Sequence, residues 1–253
     1  MTKLRRIIKA LFLLILGVVI GLIGYEAIMW INVSHLQTGN PVSTSLIQAR
    51  AKEAQARGEE AKRLQIWVAL DRISPNLQRA VLAGEDTNFA THGGFDYQAI
   101  QKAYDEALRA TAQEAKKEGE NDDWLPNIPE FKRGASTISQ QLAKNLYLSS
   151  RRSFFRKGQE AILTVFLERQ LSKRRILEIY LNVIEWGEGI YGAEAAAQYY
   201  FHKPASALNA NQAAFLSAMI PNPRTVFNPR VNPRRVARRQ RIIQRGMPYI
   251  RLP

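Results

Sequence analysis

The sixteen residues from Ala10 to Tyr25 carry no charge, and nothing else in the chain restricts its architecture as much. A basic opening with Lys3, Arg5, Arg6 and Lys9 precedes them, and after Glu26 the apolar run resumes as Ala27-Ile28-Met29-Trp30-Ile31. The run exceeds the roughly 7–15 apolar residues of a cleaved signal sequence, and no Ala-x-Ala-like cleavage site follows. About 20 such residues cross a bilayer once as a helix, and Tyr25 and Trp30 suit its interface. A buried core helix would need apolar partners flanking it in sequence, and none is evident. Residues 10–31 therefore read as an uncleaved transmembrane anchor behind a cytoplasmic basic segment, 1–9. No Lys or Arg follows the span before Arg50, so the positive-inside rule leaves everything after Ile31 outside the cytoplasm. The expected location is a cell inner membrane, crossed once, with the remaining chain on its periplasmic or extracytoplasmic face.

That placement decides what the charge means. A formal charge of +14 and a pI near 10.2 point to a polyanion: nucleic acid, an anionic membrane surface or a phosphorylated substrate. A basic domain at the outer face of a membrane meets lipid head groups and lipid phosphates first, so nucleic acid is set aside. The chain has no cysteine, which excludes a disulfide scaffold, thiolate zinc sites and a cysteine nucleophile. Its three histidines, His35, His92 and His202, have no metal-ligand spacing, and no dedicated metal site is readable.

Residues 32–64 form a polar connector. Asn40-Pro41 and Ser43-Thr44-Ser45 read as turns, and the mixed charges from Leu46 to about Arg63 read as a solvated stalk helix. The packed domain is expected over 65–253, opening at Ile66-Trp67-Val68-Ala69-Leu70. Ser74-Pro75 starts a helix with Leu77, Ala80 and Val81 as its stripe. Directly behind its apolar end stands Glu85-Asp86-Thr87-Asn88-Phe89-Ala90-Thr91-His92-Gly93-Gly94-Phe95-Asp96. Acids that follow a buried segment sit at a core rim, where desolvation raises a carboxyl pKa. The alternative for this stretch alone is a helix end followed by a glycine turn.

Tyr97 to Ala112 reads as helix, and 113–133, with its run of acids, Pro126 and Pro129, as an acidic flap. In Gly134 to Asn145, Thr137-x-x-Gln140 has capping-box spacing. Ile138, Leu142 and Leu146 fall on one helical face, and Gln140, Gln141 and Lys144 on another. A helix N-terminus beside a lysine favours an anion; a solvated polar face is the alternative. Ser153 to about Leu171 is a helix with Ile162, Leu163, Phe166 and Leu167 as core positions. Arg156 and Glu160 stand four apart on its polar side, and a surface pair there is worth only a few tenths of a kcal/mol. Ser172 to Ile184 is amphipathic and ends at Gly187/Gly189, Gly192 to Tyr200 is alanine-rich, and Ala210 to Ile220 is a core helix stopped by Pro221 and Pro223. Nine arginines lie between Arg224 and Arg251; they read as solvated or facing membrane phosphates, with no spacing that demands catalysis. With no repeats and almost no alternating pattern, the domain is expected to be mainly α.

Four motifs in this order resemble the signatures of one family, the peptidoglycan glycosyltransferases in their monofunctional biosynthetic form. They are Glu85-Asp86-x-x-Phe89-x-x-His92-x-Gly94, Gly134-x-Ser136-Thr137-Ile138-x-Gln140-Gln141-x-x-Lys144-Asn145, Arg156-Lys157-x-x-Glu160, and Lys173-x-x-Ile176-Leu177-Glu178-x-Tyr180-Leu181-Asn182. The similarity covers roughly Trp67 to Met247 and the N-terminal anchor. It implies a lysozyme-like, two-lobed helical domain behind one transmembrane helix. It also implies that lipid II, a lipid-linked disaccharide-peptide, and the growing glycan strand are the substrates. The glycan would pass from undecaprenyl pyrophosphate to an acceptor 4-hydroxyl with inversion. By the same resemblance Glu85 is the general base, Lys144 and Arg156 are phosphate contacts, and Glu160 either stabilises the donor sugar's developing charge or orients Arg156. Ser136, Thr137, Gln140, Gln141, Asp86, Phe89 and His92 fill the remaining site positions. No cofactor is required, although a divalent cation, magnesium or manganese, helps some members, and other cell-wall synthesis proteins are conceivable partners.

Two departures stand out. The segment between the first two motifs is longer and more acidic than usual for the family, and Gln212 stands where a glutamate is expected. No transpeptidase domain follows Pro253, so cross-linking is not implied. A membrane-bound glycan-cleaving enzyme of lysozyme-like fold and a non-catalytic cell-wall scaffold remain as other readings. The first has less use for a lysine and an arginine around a leaving phosphate, and the second has no need of Glu85 and Glu160.

Overall fold

A computed structural model describes residues 2–118, 136–148 and 153–253. The chain begins with one helix, α1 (Thr2–Ser34), 33 residues long, which extends past both ends of the expected span. Within it, Ile8–Tyr25 has a mean hydropathy of 2.4 and none of it is buried inside the protein. Among the described residues this is the one helix long and apolar enough to cross a membrane. Its far end is docked rather than free. Trp30 meets Phe166 edge to face at 6.0 Å, Gln170 donates to the Trp30 carbonyl at 3.2 Å, and Val33 is fully buried.

The connector is not a solvated stalk. Its helix, α2 (Ser45–Ala56), is capped by the Thr44 hydroxyl, which accepts from the Ile47 amide at 3.2 Å. Ile47 and Ala54 are buried, and the helix packs on α5 (Ile138–Tyr147). On the same face Arg50 donates to Glu185 at 2.9 Å. An average over the segment's charges hides this narrow stripe, because its one cation is matched across the domain. The helix also stops at Ala56, and β1 (Leu64–Gln65) then joins a small sheet. There β3 (Ile190–Tyr191) is central, parallel to β1 and antiparallel to β2 (Glu185–Gly187). Strands of two or three residues are too short to show alternation in sequence.

The core is helical. In α3 (Pro75–Glu85), Ser74 caps the first turn and Leu77, Ala80, Val81 and Leu82 are buried. This helix packs on α9 (Ala210–Met219) and α10 (Pro233–Gly246). The unexpected Gln212 completes a capping box with Asn209 at the start of α9, a local role that glutamine fills without a charge. In α7 (Lys173–Val183), Ile176, Leu177 and Ile179 through Val183 are all buried. The Asn182 side chain exchanges hydrogen bonds with the Val68 backbone, at 3.0 and 2.9 Å, and fixes the entering chain to the core. The first five residues of α8 (Ala193–Phe201), the four alanines and Glu194 among them, are all buried.

Two expectations change here. In α6 (Phe154–Gln170) Ile162 is 43% exposed, while the buried stripe is Glu160, Leu163, Thr164 and Leu167. Those positions follow helical spacing, but two are polar, so a hydrophobic pattern places the stripe one residue off. The helix α4 (Tyr97–Glu118) runs on beyond Ala112 and takes in the first residues of the expected flap; 119–133 lie outside the described residues.

Candidate active site

Glu85 is the last residue of α3. The burial of Ala80 through Leu82 sets its side chain at the rim of the core, with 9% of it exposed. Both carboxylate oxygens are held. Oε2 accepts from the Gln141 amide at 3.0 Å, and Oε1 accepts from the Arg239 guanidinium at 2.7 Å. Burial pushes the Glu85 carboxyl above its ordinary value; Arg239, Gln141 and Lys144 pull the other way without cancelling it.

The neighbouring Asp86 faces into the protein. Its Oδ2 accepts the Ile138 amide at 2.9 Å, and its Oδ1 lies 2.9 Å from His92 Nε2. The Gly94 amide donates to His92 Nδ1 at 3.1 Å, which leaves the ring proton on Nε2, pointing at Asp86. The N-terminus of α5, expected as an anion site, is thus already satisfied by an anion from the chain itself. Thr137 and Gln140 form the capping box of α5, and Thr137 Oγ1 also donates to the Gly94 carbonyl at 2.7 Å. Phe89 is fully buried, with the Lys173 ammonium 4.5 Å from its ring centre. Asp86, Phe89, His92, Thr137 and Gln140 accordingly form a brace that joins the end of α3 to the start of α5.

The other expected residues, and Gln140 with them, open onto a cleft of about 540 Å³, bordered also by Ser136, Gln141, Lys144, Arg156, Glu160 and Tyr180. Ser136 also borders a smaller hollow, about 170 Å³, lined by Glu85, Asp86 and Thr137, so the two spaces share that residue. Arg156 and Glu160 are not a surface pair. The Glu160 side chain is 5% exposed and lies 3.3 Å from Arg156, and Lys157 closes on its other oxygen. The Arg156 Nε is buried with no partner among the described residues. Lys144 faces the same space. Loss of water around its ammonium lowers its pKa; Glu160 and Glu85 oppose this, while Arg156 and Lys157 add to it.

Sequence reasoning missed three contributors. Arg239 comes from the arginine-rich C-terminal segment that read as solvated, and no local pattern separates it from its neighbours. Lys157 lies three residues before Glu160, a spacing that does carry a signal. Tyr180 read only as core, yet its hydroxyl donates to Gln141 Oε1 at 2.8 Å. Among the described residues no group of three or more His, Asp or Glu is arranged to hold a metal ion.

The chemistry available is a buried carboxylate in a hollow that adjoins Ser136, beside a cleft lined by Lys144, Arg156 and Lys157, an arrangement that suits proton removal near a leaving anion. Sequence comparison points the same way. The profile of the family described as Transglycosylase matches residues 51–120 and 124–248. The biosynthetic peptidoglycan transglycosylase of Chromobacterium violaceum is 43% identical over 247 residues, covering 97% of this chain and 99% of its own length. That of Thiobacillus denitrificans is 47% identical over 214 residues, 85% of this chain and 84% of its own. That of Methylobacillus flagellatus is 46% identical over 214 residues, 85% of each. With a helical, lysozyme-like domain behind an apolar N-terminal helix, this chain belongs to the transglycosylase family and is a glycosyltransferase.

Proposed function

We propose that the protein polymerises peptidoglycan glycan strands at the outer face of the cell's inner membrane, with α1 as its anchor and its N-terminus in the cytoplasm. The observation that carries this reading is the carboxylate of Glu85, buried and gripped on both oxygens, beside a cleft walled by Lys144, Arg156 and Lys157. A glycan-cleaving enzyme needs an acid and gains little from three cations opposite it. A polymerase that expels a diphosphate needs them all.

In the proposed step Glu85 takes the proton from the 4-hydroxyl of the lipid II acceptor. The acceptor oxygen bonds to the donor's C1 from the face opposite the leaving group, which inverts the centre. The bond between C1 and the diphosphate oxygen breaks, and its electron pair leaves with undecaprenyl pyrophosphate. Because diphosphate is a stable anion, cations serve it better than a general acid. Arg156 engages it with its planar fork and Lys144 as a point charge. The buried contacts of Glu160 favour the orienting role, holding Arg156 and Lys157 toward the cleft. No step is routed through a divalent cation: Glu160 and Glu85 are already matched by protein cations and an amide, and among the described residues no donor set fits a metal.

Incubation of the full-length protein with purified lipid II, followed by sizing of the products, tests the reading. Polymer is expected. Fragments from a preformed strand would favour the cleaving enzyme, and no product would favour the scaffold. In the same assay Glu85→Gln is expected to abolish polymer, and a tenth of the activity surviving removes the base assignment.

A further inference from the structure

Gln141 can place its side-chain amide in two ways that look alike in shape and differ in chemistry. With its NH₂ toward Glu85 it donates to the carboxylate; turned by 180° it presents a carbonyl oxygen to it. An ionised carboxylate beside a carbonyl oxygen is repelled, whereas a protonated one tolerates it as an acceptor. Whichever group fixes the amide therefore influences both the charge and the aim of the base.

That group is Tyr180, in the middle of α7. Its side chain has no exposed surface, and Gln141 Oε1, 2.8 Å away, is its one hydrogen-bond partner among the described residues. The hydroxyl can donate only if the carbonyl oxygen of Gln141 points at it. Turning the amide over would leave the hydroxyl proton buried without an acceptor, which is costly away from water. The NH₂ is then left for Glu85 Oε2 at 3.0 Å, with a longer contact to the Ser136 carbonyl at 3.4 Å. We infer that Tyr180 is a positioning residue for the transfer reaction: its buried hydroxyl locks the Gln141 amide and thereby keeps Glu85 ionised and aimed.

This inference rests on the reading of Glu85 as the base. Burial holds the Tyr180 phenol well above its ordinary value, with Glu85 and Asp86 acting in the same direction and Arg239 opposing, so the donor keeps its proton across the working range. The charged groups that bear on Glu85 are Arg239 from α10 and Lys144 from α5, with Asp86 beside it in the chain. None of them touches the Gln141 amide in the hydrogen bonds described, so removal of the phenol hydroxyl isolates one contribution.

The test uses the full-length protein in lipid nanodiscs with lipid II as substrate. Loss of the lock weakens one hydrogen bond to the carboxylate, so Tyr180→Phe should move the acid limb of kcat upward by roughly 0.5–1 pH unit. KM should stay within about twofold, since no substrate contact is lost. A second readout is free of turnover: the infrared band of the protonated Glu85 carboxyl, identified by its absence in Glu85→Gln, should titrate with the same upward shift. In a Gln141→Ala background Tyr180→Phe should shift neither further, because the lock has nothing left to hold. An unmoved limb and band in Tyr180→Phe, or an equal shift in the Gln141→Ala background, overturns the inference. If Tyr180→Phe loses its cooperative melt, 3-fluorotyrosine at position 180 replaces it. This stronger donor should move the band downward, and no movement counts against the lock. Turnover surviving in Glu85→Gln would instead overturn the base assignment, while the infrared titration would still judge the lock itself.

Discussion

Arg239 holds Glu85 from the opposite end of the chain: one guanidinium nitrogen donates to Glu85 Oε1 at 2.7 Å and to the Gly84 carbonyl at 2.8 Å. The contact fastens α10 to the last turn of α3, and Phe227 lies 5.6 Å beneath the guanidinium carbon. Arg239→Ala is expected to lower polymer synthesis by about 10- to 100-fold, since a base that wanders loses much of its advantage. Because the arginine also favours the ionised carboxylate, the remaining activity should need a higher pH. Rates measured across pH check both; full activity with an unmoved profile removes Arg239 from the site.

The unmodified enzyme should give a bell-shaped rate profile. As the proposed base, Glu85 would have to be ionised to accept a proton, and its pKa lies above 4.5 because of burial. Activity should therefore fall with acid at a pH higher than an exposed glutamate would produce. As the proposed diphosphate contact, Lys144 would have to be charged, and its pKa lies below 10.5 because water is drawn away from it. The alkaline limb should accordingly come before that of an exposed lysine. Lys144→Arg, which stays charged at any relevant pH, should abolish the alkaline limb if it is active. The limb persisting unchanged would assign it to another group.

Asp86 should prove a brace. Asp86→Ala leaves the buried Ile138 amide and the His92 ring nitrogen without their acceptor, at a cost of about 2–3 kcal/mol. His92→Ala removes only one of the two contacts and should cost less. Denaturant melts of both variants decide: loss of activity with unchanged stability would return Asp86 to the substrate.

Gly94 should not tolerate a side chain. Its φ is +97°, and a Cβ there would lie 2.8 Å from Thr164 Cγ2 and 2.9 Å from Glu168 Cγ. Gly94→Ala combines backbone strain with overlap against a packed helix, about 2–4 kcal/mol together. A thermal melt of the variant is the check, and a neutral result would mean that the loop between α3 and α4 readjusts freely.

Helix starts were legible in the sequence because their chemistry is local: Ser74-Pro75, Thr137 with Gln140, Ser153 and Ser172 each cap the helix that their pattern announces. The cleft residues were legible as well, since Gln141, Lys144, Arg156 and Glu160 lie at helical spacings on α5 and α6. Contacts between distant segments were not. Nothing within Arg234 to Arg245 marks Arg239 as the one that reaches Glu85, and nothing near Arg50 announces Glu185. Buried polar positions misled in a further way, for Glu160 and Thr164 occupy places where a hydrophobic pattern looks for Ile162. The helix N-terminus and Lys144 pointed to an anion at the start of α5. Only the folded arrangement shows that Asp86 supplies it.

The unbroken passage of α1 into its docking site on α6 makes the anchor a spoke instead of a tether. Each residue in a helix advances the chain by about 1.5 Å and turns it by about 100°. The interval between the last lipid-facing turn and the Trp30–Phe166 contact therefore sets both the height of the cleft above the bilayer and its compass heading. One alanine inserted after Tyr25 would scarcely change the height but would swing the heading by more than a quarter turn. The lipid-linked substrate of the proposed reaction, confined to the plane of the membrane, would then meet the wrong side of the enzyme.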